Sequence, residues 1–120
     1  MRTAIYNELY NTAKELDPTV YVTSVYEPLN TKVPCVYITQ AFSQTARAVE
    51  LKSTDIQYRD DLELQIYYPT AKECFDMFVE LNAVLKQMHF ILDTVQEVPN
   101  KDTTVRRVVA DFHVIKGEQI

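Results

Sequence analysis

The chain holds one glycine, Gly117, in 120 residues. A phosphate-cradling loop needs several glycines, so dinucleotide-binding and P-loop readings both fail. Tryptophan is absent altogether. Cysteine is scarce: Cys35 and Cys74 form no CxxC pair and sit beside no metal-ligand spacing. Buried free thiols are the expectation for both, with a reducing place of synthesis. No apolar run approaches the roughly 20 residues that span a bilayer, so no membrane partner is expected. The opening Met1-Arg2-Thr3-Ala4-Ile5-Tyr6-Asn7-Glu8 lacks the apolar core of a secretion signal. Positive charge is in deficit, with 12 Lys and Arg against 17 Asp and Glu, a net charge of −5. That balance argues against a dedicated nucleic-acid binder, whose affinity comes from a basic face.

What is present suits a packed core. Apolar residues make up 47% of the chain, and the length fits one domain spanning residues 1–120. Eight tyrosines and five phenylalanines favour sheet and contact surfaces. Ile5, Leu9, Ala13 and Leu16 recur at helical spacing, predicting a helix over 2–16 that Asp17-Pro18 ends. Residues 19–27 are β-branched and aromatic, hence a strand, and 28–32 a turn. A second strand covers 33–43, with Pro34 at its start or on a free edge because it lacks an amide donor.

Residues 44–53 read as a loop or a short helix. Over 54–68 the alternation is clear. Ile56, Tyr58, Leu62, Leu64, Ile66 and Tyr68 share one face, and Gln57, Arg59, Asp61, Glu63, Gln65 and Tyr67 the other. Asp60 interrupts the apolar face, which suggests a bend or bulge. Thr70 followed three residues later by Glu73 is a capping-box start for a helix over 70–88. Its apolar stripe is Ala71, Cys74, Phe75, Phe78, Leu81, Leu85 and Met88, with Phe75, Phe78, Leu81 and Leu85 expected against Leu62, Leu64, Ile66 and Phe112. A hairpin of 89–98 and 103–115 closes the chain, with Val108, Ala110, Phe112 and Val114 inward and Arg107, Asp111 and His113 outward. The order helix-strand-strand-strand-helix-strand-strand implies an α+β fold: an antiparallel sheet of about four to five strands with two helices on one face.

The search for chemistry returns little. His89 and His113 share no metal-binding spacing. Asp60, Asp61 and Glu63 are close in sequence, but on a strand Asp60 points away from the other two, as a solvated strand face requires. Ser24, Ser43 and Ser53 lie in no GxSxG context. Arg106 and Arg107 point to opposite faces and make no patch. No catalytic residue, cofactor or metal ligand is assigned, and the chain is expected not to be an enzyme.

The layout resembles the tail-terminator or tail-completion proteins of long-tailed phages, also described as head–tail joining or minor capsid proteins. The resemblance is carried by the N-terminal helix and the strand Val33-Pro34-Cys35-Val36-Tyr37-Ile38. It continues through the long strand ending Leu64-Gln65-Ile66-Tyr67-Tyr68 and the helix leading to Arg106-Arg107-Val108-Val109-Ala110-Asp111-Phe112-His113-Val114. It implies a ring, usually of six copies, at the head-proximal end of the tail. The ring stops growth of the tail tube and meets the head connector or stopper protein, and genome DNA passes through its lumen. A virion location, with assembly in the host cytoplasm, follows.

Head-to-tail contacts between copies need complementary surfaces. The candidate subunit interface is Arg47, Val49, Glu50, Leu51 and Lys52 together with Arg59, Asp61 and Glu63. Residues 44–53 interleave apolar and charged groups, as a segment buried against a neighbouring copy would. Two other functions compete. One is a small binding protein that inhibits a host factor through its sheet, as a monomer or dimer. The other is an enzyme using the acids at 60–63 and a histidine, which requires an enclosed pocket with convergent polar groups.

Overall fold

Thr70 starts the second helix as its spacing to Glu73 predicts. The Glu73 N–H donates to Thr70 Oγ1 at 3.2 Å, and the Thr70 hydroxyl donates to Glu73 Oε1 at 2.8 Å. The far end of this helix shows how a chain with one glycine stops a helix. His89 adopts φ 69°, the left-handed position glycine usually fills. Its N–H donates to Lys86 O at 3.0 Å, and that of Phe90 donates to Leu85 O at 3.0 Å. Phe90 and Leu85 are both buried, giving the apolar contact that accompanies this type of helix end.

The computed structural model describes residues 3–24, 33–46, 55–99, 101 and 104–119. Helix α1 (Thr3–Leu16) leads to strand β1 (Tyr21–Thr23), β2 (Cys35–Ala46) and β3 (Asp55–Tyr68). Helix α2 (Ala71–Gln87), β4 (Ile91–Glu97) and β5 (Arg106–Gln119) follow. The five strands form one sheet in the order β1-β2-β3-β5-β4. The fold is α+β: both helices contribute to the core on one face of the sheet, where Leu9 and Ala13 of α1 and Cys74, Phe78, Leu81 and Leu85 of α2 meet Val36, Ile38, Leu62, Leu64, Ile66, Val108, Ala110 and Phe112. Burial of a side chain such as Leu81 stabilises the fold by about 2 kcal/mol. The rings of Phe78 and Phe112 stack with centroids 6.4 Å apart. The Cys74 thiol reaches Ile66 O at 3.5 Å and Arg106 O at 3.4 Å, and burial pushes it above the ordinary thiol range.

Several expectations are corrected. The sheet is mixed, because β1 pairs parallel with β2 (Tyr21↔Cys35) while every other pairing is antiparallel. A parallel pair needs a connection that carries the chain back along the strand, and turn-forming residues in the sequence do not specify that path. Pro34 lies just before β2, where its carbonyl accepts from Tyr21 N at 2.9 Å. Gln44, Thr45 and Ala46, read as loop or helix, belong to β2 and pair with Tyr58, Gln57 and Ile56. The final strand runs on from 115 to Gln119.

Asp60 causes no bulge. Its pairings with Phe42 and Val114 are in continuous register, and its side chain, 2% exposed, lies on the helix-covered face. The irregularity falls instead between Leu92 and Thr94 in β4. On α2, Phe75 is 37% exposed and is not core, whereas Met77, absent from the expected stripe, is 1% exposed. A helix turns 100° per residue, so these two side chains leave opposite flanks of the stripe. One flank is covered and the other, with Phe75 and Val79, is open. The end of the first expected strand, 25–27, lies outside the described residues, as do the side chains of Ile56 and Tyr58.

Candidate interaction face

Since both helices occupy one face of the sheet, the odd-numbered positions of β3 are left on the other. Pairing lays the helix-free face out in rows. Tyr21, Cys35, Tyr67 and Arg107 form the first row; Tyr37, Gln65, Val109 and Gln96 the second. Thr39, Glu63, Asp111 and Thr94 follow, then Ala41, Asp61, His113 and Ile91. The face therefore runs from aromatic to acidic. At its acidic end a hollow of about 320 Å³ is lined by Thr39, Ala41, Asp61, Glu63, Asp93 and Asp111, among others.

Of the expected interface residues, Arg59, Asp61 and Glu63 stand in sequence along this face, each half-buried. Arg47, Val49, Glu50, Leu51 and Lys52 lie outside the described residues. Arg59 Nε donates to Asp61 Oδ1 at 2.9 Å, a pair two positions apart on one strand face. Such exposed pairs contribute little stability, and this one neutralises the local charge.

Glu63 sits in a denser network. Tyr67 Oη donates to Gln65 Oε1 at 2.8 Å, and Gln65 Nε2 donates to Glu63 Oε1 at 2.8 Å. Across β5, Asp111 is Glu63's register partner, and Thr94 Oγ1 donates to Asp111 Oδ2 at 3.0 Å. Burial first, then the hydrogen bond and charge of Asp111, hold the Glu63 carboxyl above the ordinary range. The Gln65 hydrogen bond and the Arg107 charge pull the other way. Arg107 Nε is buried and meets no acceptor among the described residues.

The fourth row ends in a His–Asp pair. His113 Nδ1 lies 2.7 Å from Asp93 Oδ1. The strand irregularity at Leu92/Thr94 inserts Asp93 into β4 and places its carboxylate within reach. Alternation in the sequence had already put Arg107, Asp111 and His113 outward. Nothing in the sequence marks Asp93, since the irregularity that brings it to His113 has no local signature. Arg106 pairs with Glu97 at the sheet edge, apart from Arg107 as expected.

This arrangement offers acidic and aromatic contact chemistry. His89 is exposed at the end of α2 and lies on no part of the face. Among the described residues no group of three or more His, Cys, Asp and Glu side chains has the geometry to hold a metal ion. No described helix is long and apolar enough to cross a membrane.

No protein-family model matches the chain, and no curated protein matches it. Among solved structures it is similar to a chain from the virion of a native gene transfer agent particle. That similarity has a TM-score of 0.50 at 13% sequence identity, and it covers 95% of this chain and 91% of that one. At this identity the likeness concerns the fold.

Proposed function

We propose that the chain is a non-enzymatic structural protein of a virion, folded as one domain over residues 1–120. In this reading it forms a ring at the head-proximal end of a phage tail. It ends the tail tube and joins it to the head connector. The observation that carries the reading is the shared fold with a virion chain over nearly the full length of both. The resemblance in element order to tail-terminator proteins supports the finer role.

The ring contacts are assigned to two surfaces. One is Arg47, Val49, Glu50, Leu51 and Lys52; the other is the helix-free face at Arg59, Asp61 and Glu63. Charges of both signs on these surfaces fix register between neighbouring copies. The net charge of −5 suits a lumen through which DNA slides without sticking. The partners are further copies of the chain, the tail tube protein and the head connector or stopper, in the virion after assembly in the host cytoplasm.

Sedimentation and native mass spectrometry at rising concentration test this reading. A closed ring gives one species at a fixed multiple, about six, of the 13.9 kDa chain. Reversing the charges of Arg47 and Lys52 together weakens that species while the monomer stays folded. In a phage, loss of the protein gives tails of abnormal length or heads and tails left unjoined. Normal, joined particles made without it overturn the proposal.

A further inference from the structure

We propose that the helix-free face is a self-complementary docking surface, which takes the same face of a second copy turned end for end. Arg107, Val109 and Asp111 occupy every second position of β5 and so share this face. A two-fold axis over Val109, lying between the facing sheets and across their strands, fixes the pairing. It sets Val109 on Val109, with Gln65 and Tyr37 of both copies alongside, because these three share one row. It sets Arg107 of each copy over Asp111 of the other, one row to either side, about 7 Å from the axis. Glu63 stands beside Asp111 in that row, so each guanidinium meets two carboxylates. Packed sheets turn by about 30° on each other, which moves each end by about 4 Å, within the reach of an arginine.

Two observations point to a second copy as the occupant. Arg107 Nε is buried and meets no acceptor among the described residues. A buried donor left unpaired costs free energy, and a carboxylate brought from outside removes that cost. The other observation is charge. At the acidic end Arg59 engages Asp61, and His113 bonds Asp93. Glu63 and Asp111 are then the acids that a further cation would neutralise. The turned copy brings its own Arg107 directly over them, and receives the same contact in return. Any other partner must carry a cation and an anion at matching spacing, and the chain's own face already does. Four rows across four strands span only about 20 by 15 Å, so the association is weak and concentration-dependent. It does not depend on the ring reading. Glu63 belongs to a surface assigned above to ring contacts, so a copy held in this dimer cannot offer it to a ring neighbour.

Sedimentation velocity of the full chain, at concentrations up to about 1 mM, tests the contact. The expected result is a species of twice the 13.9 kDa chain mass, weakened by added salt. Arg107→Asp alone and Asp111→Arg alone each raise its dissociation constant by about tenfold or more, since each sets like charges together. Mixing the two variants restores association as a one-to-one complex, because every contact then pairs an aspartate with an arginine. A purely structural role for either residue within one chain gives no such rescue. If a charge-reversed variant does not fold, Arg107→Gln and Asp111→Asn take its place, and each is expected to weaken the dimer. A chain that stays monomeric throughout overturns the proposal. So do folded variants that fail to associate when mixed, or a dissociation constant unmoved by Arg107→Gln. A species of about six copies with no dimer also overturns it while supporting the ring. A dimer that never grows further supports it and counts against the ring alone.

Discussion

Tyr68 Oη donates to Asp17 Oδ2 at 2.7 Å, joining the end of β3 to the turn after α1 across 51 residues of sequence. The same carboxylate accepts from Thr19 Oγ1 at 2.6 Å and Thr19 N at 3.0 Å. The Thr19 hydroxyl bond is the largest influence holding Asp17 below its ordinary range. The Tyr68 bond, the Thr19 N–H and the Lys14 charge add to it against an opposing effect of burial. Burial and the Asp17 contact in turn push the Tyr68 phenol upward.

A depressed carboxylate binds its proton less tightly in the folded state than in the unfolded chain. Its contribution is therefore complete above the ordinary Asp range and is lost as pH falls through the lower folded value. Tyr68→Phe is expected to remove about 1.5 kcal/mol near neutral pH, as for a hydrogen bond to a charged acceptor. The same substitution costs less in acid, as Asp17 takes up its proton and the acceptor loses its charge. Urea denaturation at about pH 7 and about pH 2 checks this; an equal loss at both would contradict it.

At the end of α2, His89 holds a left-handed backbone without the conformational freedom of glycine. Its side chain is exposed, so no packing is lost on removing it. His89→Gly is expected to stabilise the protein by about 1 kcal/mol, since the left-handed form disfavours a residue with a Cβ by about that amount. Thermal or urea unfolding reads the change, and a destabilised variant would show that His89 has another role.

Two phenylalanines three residues apart on α2 should respond unequally. Phe78 is buried and stacks on Phe112, while Phe75 is exposed on the open flank. Phe78→Ala is expected to cost about 3–5 kcal/mol, as for a core aromatic. Phe75→Ala is expected to stay within about 1 kcal/mol, as for surface sites. A large loss at Phe75 in the monomer would place it in the core after all. If the chain assembles across this flank, Phe75→Ala weakens the oligomer and spares the fold.

Much of the candidate face is legible in the sequence. Period-two alternation over Arg59 to Tyr68 sorts those residues onto two faces, and the same rule sends Arg107, Asp111 and His113 outward. It correctly separates Asp60 from Asp61 and Glu63. It cannot say that Glu63 meets Asp111 and not His113, because a shift of two residues in register keeps every face and changes every neighbour. Nor can it find Asp93, which reaches His113 through a local irregularity of β4.

The sequence by itself determined the element order, the Thr70–Glu73 helix start, the break at Asp17-Pro18 and the two faces of β3. These depend on neighbours a few residues apart, through capping, backbone restriction and periodicity. Tertiary structure alone decided the parallel direction of β1, the continuation of β2 to Ala46, the burial of Met77 in place of Phe75, and the pairing of Glu63 with Asp111. Each of these depends on which distant segment packs alongside, and a helix flank or a strand edge carries no local mark of what will cover it.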